Sequence, residues 1–226
     1  AYYGNFSHVL IVNRGVHEPL EEYAFQEVMR RMPEAPLMVE LGAYWGHYSM
    51  WLKKLRPLAT NIMVEPDANN LAAGKHNFGI NGYAGEFIQA LVGKGQFEVD
   101  AFMESRGITH LDVLHVDIQG FELEMMAGSR RALEQAKIDY AFVSTHSQEL
   151  HHGIVRGFEG FGYRVEVASD FDNDTTSFDG FVLASSPRAQ HIFKDFTALG
   201  RDHIVHSRPG ALLDSLVAIR RASQPG

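Results

Sequence analysis

Short apolar runs alternate with amphipathic stretches along most of the chain. The runs have the length of buried strands and lie at Leu37 to Leu41, Asn61 to Glu65, Glu86 to Val92, Leu111 to Asp117 and Tyr140 to Thr145. Stretches with helical spacing separate them, and this alternation is typical of βαβ units with a parallel sheet. Two more strand-like runs, Tyr163 to Ala168 and Phe178 to Ser185, come last. The pattern predicts an α/β, Rossmann-like fold: a mostly parallel seven-stranded sheet with a C-terminal β-hairpin and flanking helices.

The same pattern predicts where the helices lie and how the chain is divided. A first helix is expected over Pro19 to Arg31, because apolar residues recur there at helical spacing and proline suits an early helix position. Later helices are expected to begin near Gly46, Asp67, Val99, Gly120 and Ser147. We expect residues 1–35 to form an N-terminal extension and helix over the active site, residues 36–186 the catalytic domain, and residues 187–226 a basic helical tail.

Composition and charge exclude several classes of protein. The 226 residues contain no cysteine, which excludes a disulfide framework and a thiolate nucleophile and fits a cytoplasmic protein. Apolar stretches are too short for a membrane helix, and the net charge of −8 argues against a nucleic-acid partner. The segment after Ser186 has six Lys or Arg against three Asp or Glu, so the preceding body is at −11. The tail is expected to dock on its own body or on a neighbouring subunit of a homo-oligomer.

A glycine turn follows the first strand in the segment LMVELGAYWGHYSMWL. Gly42 and Gly46 are spaced G-x-x-x-G, whereas a dinucleotide fold prefers G-x-G-x-x-G and a P-loop needs a following G-K-[ST]. The turn lets a ligand approach the backbone and the next helix closely. The carboxylate of Glu40 can hold the amino-acid end of S-adenosylmethionine, where a pyrophosphate would be repelled. A nicotinamide-dependent oxidoreductase is therefore the disfavoured alternative.

The next two strand ends supply candidates for the rest of the cofactor. Glu65 ends the second strand about 25 residues after Glu40, close to where a Rossmann-type fold places an acid on ribose hydroxyls. Gln89 and Ala90, at the third strand, are expected beside the adenine. Tyr44, Pro66, Asp117 and Gln119 complete the predicted cofactor-binding set.

The fourth and fifth strands end in residues suited to catalysis. Asp117 and His146 fall at the same predicted sheet edge, where ligands bind in open α/β folds. A neutral imidazole accepts a hydroxyl proton near pH 7, so His146 is the predicted general base and Asp117 its partner. Asp117, Glu122 and His146 are weaker candidates as ligands for Mg²⁺. His115 is expected to be a packed or hydrogen-bonded histidine, and the Asp170 to Asp174 loop a solvated turn.

These segments together resemble the FkbM family of methyltransferases. The matching pieces are ELGAYWGHYS, VEPDANNLAAGKHNFGINGY, ALVG, LHVDIQGFELEMMAGSRRAL and the strand that ends at His146. The resemblance covers residues 36 to 186 and implies methyl transfer from S-adenosylmethionine to a hydroxyl, commonly on a sugar or secondary metabolite. It implies that the methionine part is held by Glu40, Gly42, Ala43, Gly46 and Ser49, and the ribose by Glu65.

The chain departs from the family pattern at three positions. The family usually has Asp where Glu40 stands, often an acid where Ser144 stands, and Glu where Gln119 stands. The sequence thus predicts an O-methyltransferase for a sugar or another small natural product, with Tyr44, Trp45 and Asn13 to Tyr23 as candidate walls of the acceptor pocket. A binding module that keeps the nucleoside pocket without catalysis is the second alternative.

Overall fold

Seven strands form a single mixed sheet in the order β3-β2-β1-β4-β5-β7-β6. The structure is a computed structural model that describes residues 10–11, 14–194, 196 and 198–222. The strands are β1 (Leu37–Leu41), β2 (Thr60–Val64), β3 (Glu86–Ile88), β4 (Leu111–Val116), β5 (Ile138–Thr145), β6 (Arg164–Ser169) and β7 (Gly180–Ser185). All neighbours pair in parallel except β7, which is antiparallel to both β5 and β6. The predicted sheet and hairpin are confirmed.

Helices connect and flank these strands. In chain order they are α1 (Pro19–Met29), α2 (His47–Leu55), α3 (Ala68–Ile80), α4 (Val99–Arg106), α5 (Glu122–Gly128), α6 (Arg130–Glu134), α7 (Gln148–Gly160), α8 (Arg201–His206) and α9 (Pro209–Ala222). Two predicted starts are side-chain caps: Asp67 accepts the backbone N–H groups of Asn69 and Asn70, and Ser147 accepts that of Leu150. Among the described residues, no helix is long and apolar enough to cross a bilayer.

The third strand is shorter than its sequence predicts. The apolar run extends to Val92, but β3 ends at Ile88 because its only partner, β2, ends at Val64, which pairs with Ile88. Beyond it, the Gln89 side chain donates to the carbonyl of Pro66 at 3.2 Å instead of continuing a ladder. The chain leaves the sheet here and forms the rim of the predicted cofactor site.

Helix α1 is an integral part of the hydrophobic core. One core cluster fills the face of the sheet under α4 to α7, and the other packs α1 and α2 against the opposite face. Phe25 of α1 is fully buried, with its ring 5.1 Å from that of Tyr48 and 5.6 Å from that of Phe142. Burying such a side chain contributes about 1.5–3 kcal/mol. The packing fixes the N-terminal end of α1 near one edge of the sheet.

That edge is where β1, β4 and β5 end. Since β7 runs the other way, it begins there, and Gly180 pairs with Thr145. Ser169, the last residue of β6, pairs with Phe181 at the same edge. Residues that follow β1, β4 and β5, and those that precede β7, are therefore brought together, as carboxyl strand ends are in α/β ligand sites.

Gly42 is required by the backbone of the neighbouring strand. It has φ +75°, and a Cβ added there would lie 1.6 Å from the carbonyl oxygen of Asp117. Gly82 also has positive φ (+69°), but a Cβ there would meet nothing within 4 Å. The constraint on Gly42 thus comes from the protein itself, in addition to any cofactor.

We predict that Gly42→Ala destabilises the fold more than Gly82→Ala does. The Gly82 variant should lose about 1 kcal/mol from its left-handed backbone, and the Gly42 variant about 1–3 kcal/mol more from overpacking. Urea unfolding of both variants measures the difference. Equal losses would contradict the steric role of the Asp117 carbonyl.

Candidate active site

The loop between β1 and α2 is held by the carboxylate of Glu65. Tyr44 adopts a left-handed backbone conformation (φ 46°), which is costly for a residue other than glycine. Its N–H donates to Oε2 of Glu65 at 2.9 Å. The other carboxylate oxygen accepts the N–H of Asp67 at 3.0 Å and the side-chain amide of Asn70 at 3.3 Å. Glu65 therefore joins the two loops that the sequence assigns to the cofactor.

Glu40 and Ser49, predicted to hold the methionine part, are both enclosed by protein. Glu40 is 3% exposed and its Oε2 accepts the N–H of Ser49 at 3.2 Å. Burial raises the pKa of Glu40, against the opposing effects of His115 and Ser49. Ser49 is fully buried, and its hydroxyl has no partner at normal hydrogen-bond geometry among the described residues. The pair supports the first turn of α2 from inside, and direct contact with a ligand stays a prediction.

The remaining predicted cofactor residues form a more open surface. Ala43 and Gly46 are buried, whereas Gly42, Tyr44 and Ala90 are half-buried and Pro66 and Gln89 are exposed. The bond from Gln89 to the carbonyl of Pro66 brings the ends of β2 and β3 together. The predicted ribose and adenine segments therefore lie side by side at the carboxyl edge.

Three side chains converge at this edge: Asp117 after β4, His146 after β5 and Asp179 before β7. Their ligand atoms all lie within 4.8 Å of one another. The Nε2 atom of His146 is 3.2 Å from Oδ1 of Asp117 and 3.5 Å from Oδ1 of Asp179. The convergence of Asp117 and His146 was predicted from the sequence, but Asp179 was not. We call these three residues the Asp–His–Asp cluster.

Glu122 orients the imidazole from behind. Its Oε1 lies 2.7 Å from Nδ1 of His146 and also accepts the N–H of Gly120 at 2.9 Å. The side chain of Gln119 lies 2.7 Å from Nε2 of His146 and donates to Asp117 at 3.0 Å. The weaker metal candidate Glu122 is thus on the far side of the ring, and Asp179 occupies the place beside Nε2.

The surrounding carboxylates favour the protonated form of His146, whereas the amide nitrogen of Gln119, 2.7 Å from Nε2, can only donate and favours the neutral form. Burial lowers the pKa of His146, but hydrogen bonds with Asp117 and Glu122, together with the charge of Asp179, outweigh burial and raise it to about 10. Desolvation tends to raise the pKa of Asp117, and its contacts with His146 bring it below its usual value. The sequence predicted a neutral imidazole near pH 7, and the surrounding carboxylates favour the imidazolium instead.

A divalent cation fits the donor set of the cluster. Two carboxylates and an imidazole, with Nδ1 of that imidazole held by Glu122, match the way metal-ligating histidines are oriented by a second carboxylate. Mg²⁺ prefers oxygen ligands, whereas an imidazole also suits Mn²⁺, Fe²⁺ or Zn²⁺. The residues that would hold the ion are Asp117, His146 and Asp179.

Helix α1 contributes buried carboxylates next to the cluster. Oε1 of Glu21 lies 2.6 Å from Nε2 of His115, and its Oε2 accepts the hydroxyl of Ser144 at 2.9 Å. The Tyr48 hydroxyl donates to Glu18 at 3.2 Å. His115 is thus a buried, hydrogen-bonded histidine, as expected. The family pattern often has an acid at the position of Ser144; here Glu21 of α1 places a carboxylate beside that serine instead.

A small polar cleft, with a volume of about 10 Å³, separates the start of α1 from the β6–β7 loop. Its lining residues carry mostly hydroxyl and carboxyl groups: Glu18, Leu20, Glu21, Ser169, Thr175, Thr176, Ser177, Asp179, Gly180 and Phe181. The cleft opens beside Asp179 and therefore beside the cluster. The predicted walls Leu20 and neighbouring α1 residues fall here, while Asn13 lies outside the described residues.

Comparisons with known proteins agree with this fold. The family model for the methyltransferase FkbM domain matches residues 94–165. Precorrin-6y C5,15-methyltransferase from Geobacter metallireducens GS-15 is similar over 74% of this chain and 88% of its own, with TM-score 0.54 and 14% identity. TrmK of M. capricolum, solved with S-adenosyl-homocysteine, is similar over 75% of this chain and 70% of its own, with TM-score 0.51 and 10% identity. No curated protein matches the chain.

A solved FkbM methyltransferase from Methylobacillus flagellatus KT shares 18% identity, with TM-score 0.54 over 67% of this chain and 44% of its own. The chain therefore spans less than half of that protein. The fold and the family match define the class: methyltransferases that use S-adenosylmethionine. Within that class, the match of residues 94–165 to the FkbM domain covers about a third of the chain and supports the family predicted from the sequence. The match includes Asp117 and His146 but not Glu40, Glu65 or Asp179.

We predict that Glu21 makes the fold less stable as the pH rises. Burial, with the charges of Asp117 and Asp179, raises the pKa of Glu21 from 4.5 to about 8 despite the Ser144 bond. A carboxyl with a raised pKa stabilises the fold fully below its unfolded pKa and loses this contribution as the pH approaches its folded pKa. Relative to wild type, Glu21→Gln should gain about 1–3 kcal/mol in unfolding free energy between pH 5 and pH 8.5.

Urea unfolding at the two pH values measures this gain, with Glu22→Gln as the control on the same helix. The pKa of Glu22 is below its usual value, because bonds from His47 and His17 outweigh its burial. That variant should therefore show no gain between pH 5 and pH 8.5. Parallel behaviour of the two variants would contradict a protonated Glu21.

Proposed function

We propose that the protein is an S-adenosylmethionine-dependent O-methyltransferase that acts on a hydroxyl of a sugar or another small natural product. The observation that carries the proposal is the Asp–His–Asp cluster at the carboxyl edge of the sheet, next to the β1–α2 loop and a hydroxyl-lined cleft. The family resemblance assigns the β1–α2 loop and Glu65 to the cofactor. The cluster then lies where the acceptor must meet the methyl group.

The charge of this edge supports a cationic cofactor. Glu65, Asp117, Glu122 and Asp179 lie at or beside it, with His146 as the cation of the cluster. A sulfonium is attracted by such a surface, whereas the pyrophosphate of a nicotinamide dinucleotide is repelled. The glycine spacing, which concerns backbone approach, and the charge, which concerns electrostatic repulsion, therefore disfavour the oxidoreductase alternative independently.

The cleft favours a neutral, hydroxylated acceptor. Its lining includes Thr175, Thr176 and Ser177, and none of its lining residues is a lysine or arginine. Hydroxyl and carboxyl groups offer hydrogen bonds to a polyhydroxylated molecule. A phosphorylated acceptor would instead meet Glu18, Glu21 and Asp179 without a counter-charge. The chemistry of this lining matches a neutral saccharide better than a sugar phosphate, and the cleft, at about 10 Å³, must widen to admit either.

The chain's residues position the acceptor and manage its proton. When bound, S-adenosylmethionine supplies a methyl group on a sulfonium; the acceptor oxygen forms the new C–O bond as the C–S bond breaks, and the hydroxyl proton must leave. Glu122 fixes the imidazole so that Nε2 faces Asp117 and Asp179. Positive charge brought to these carboxylates lowers the pKa of His146, because it competes for the same partners. His146 is the proposed base, and Asp117 and Asp179 hold the acceptor hydroxyl.

A divalent cation is the second candidate for activating the hydroxyl. Asp117, His146 and Asp179 would hold it, and it would lower the pKa of the acceptor hydroxyl. The specific observation in its favour is the common 4.8 Å sphere of the three ligand atoms. Mn²⁺ titration of the wild type and of Asp179→Asn, followed by electron paramagnetic resonance, tests whether the cluster binds an ion.

Methyl transfer to a panel of neutral saccharides and their phosphates tests the proposed acceptor class. We expect labelled methyl groups on neutral members and little on the phosphates. Tight binding of S-adenosylhomocysteine without transfer to any hydroxyl would favour the non-catalytic nucleoside-binding module. Binding of NAD in preference to S-adenosylhomocysteine would favour the oxidoreductase.

We predict that Glu65→Ala weakens S-adenosylhomocysteine binding by about 1–3 kcal/mol, because the ribose loses a charged acceptor and the Tyr44 backbone loses its anchor. Isothermal titration calorimetry measures the change. Glu98→Ala is the matched control, since Glu98 also accepts a backbone N–H, from Gly95 at 2.8 Å, but lies after β3. Unchanged affinity in Glu65→Ala would remove Glu65 from the cofactor site.

We predict that His146→Ala lowers kcat by roughly 10²-fold while cofactor affinity stays nearly constant. The physical reason is that the imidazole acts on the acceptor proton and lies beyond the predicted cofactor contacts. His152→Ala, at an exposed histidine on α7, should keep the wild-type rate. A wild-type rate in His146→Ala would refute the base assignment.

A further inference from the structure

The pair of C-terminal helices begins in contact with the β6–β7 loop. We call α8 and α9 together the C-terminal arm. The N–H of Arg201 donates to the carbonyl of Asp174 at 3.2 Å, and that of Asp202 donates to the carbonyl of Asn173 at 3.1 Å. A Cβ at Gly200 would lie 2.5 Å from the side chain of Asp174, so close packing continues to the start of the arm. The arm is thus fastened at its base.

Beyond this base, α9 presents an apolar surface to solvent. From Pro209 to Arg221 no residue is buried. Leu213 is 64% exposed, Leu216 55% and Val217 48%, although these residues lie three and four positions apart on one helix face. An apolar stripe of this kind is normally covered by another element.

The charges on α9 favour a second copy of the same helix as its cover. Asp214 precedes the middle of the stripe, and Arg220 and Arg221 follow it. If two helices cross antiparallel with a twofold axis near Val217, Asp214 of each lies across from the arginine pair of the other. The antiparallel arrangement also opposes the two helix dipoles favourably. The sequence of α9 is therefore complementary to itself.

We propose that the protein forms a homodimer in which the α9 helices of two copies pair antiparallel about Val217. Leu213, Leu216 and Val217 of each copy form the apolar seam. The helix has 14 residues, a length of about 21 Å, so the interface is small and the dimer dissociates on the order of micromolar concentration. The bonds at Arg201 and Asp202 connect the dimer to the β6–β7 loop of each copy.

Single-cysteine variants of this cysteine-free chain test the geometry. Val217→Cys should be trapped as a covalent dimer on mild oxidation, because the two copies of residue 217 meet at the axis. Leu213→Cys should give at least about fivefold less covalent dimer than Val217→Cys. The two copies of residue 213 are displaced by about 12 Å along the helices, beyond the ~7 Å that a disulfide spans. Leu58→Cys, at a body leucine that is 60% exposed, is the control and should stay monomeric.

Sedimentation velocity of the full chain at about 1–100 μM tests the interface without cross-linking. Wild type should shift from monomer to dimer, Leu216→Glu should remain monomeric, and Asp214→Arg should weaken the dimer at least about fivefold. Adding Arg220→Asp and Arg221→Asp to Asp214→Arg should restore it. A monomeric wild type, equal cross-linking at 213 and 217, or binding to anionic vesicles by a protein that stays monomeric would overturn the proposal.

Discussion

The buried carboxyl group of Glu21 joins α1 to two central strands. Through His115 it contacts β4 and through Ser144 it contacts β5, so a single side chain spans the two strands that end in Asp117 and His146. Such a group is costly to bury unless its oxygens are satisfied, and here both have partners. The hydrophobic packing of Phe25 stabilises the contact between α1 and the sheet, while the hydrogen bonds of Glu21 fix the position of α1 along the strands. The position of α1 in turn fixes one wall of the polar cleft.

The cluster depends on balance among like charges. Asp117, Glu122 and Asp179 surround the imidazole of His146. Their negative charges are compensated only when the imidazole is a cation or when another cation lies nearby. Removing that positive charge leaves the carboxylates facing one another across a few ångströms. The cluster therefore favours the binding of a cationic ligand. The same electrostatics suits a sulfonium cofactor and underlies the proposal of a divalent ion.

Local chemistry in the sequence accounts for most of the fold. Asp67 and Ser147 cap helices at the predicted starts, and Gly42 and Gly46 end β1 where expected, because caps and glycine turns act over a few residues. Asp179 was missed because the aspartate-rich loop has the composition of a solvated turn, and only the antiparallel pairing of β7 carries its end to the site. The burial of the α1 glutamates was missed for a related reason. Acidic residues on a helix normally indicate a solvent-exposed face, so the sequence gives no sign that these are buried.

The β6–β7 loop is attached to the rest of the domain at both ends. Asp170 accepts the backbone N–H groups of Asn173 and Asp174 and the side-chain amide of Gln148, and Asp179 is one residue from the first pair of β7. The stretch between them borders the cleft and also holds Asp179: the hydroxyl of Thr175 donates to the carbonyl of Asp179, and the N–H of Asp179 donates to the hydroxyl of Ser177. Substitution of its exposed side chains Thr176 and Phe178 would alter the rim of the cleft, whereas a change of length would also displace Asp179. If the cleft receives the acceptor as proposed, recognition and reaction share this loop, and a new acceptor specificity is reached by point substitution rather than by loop exchange.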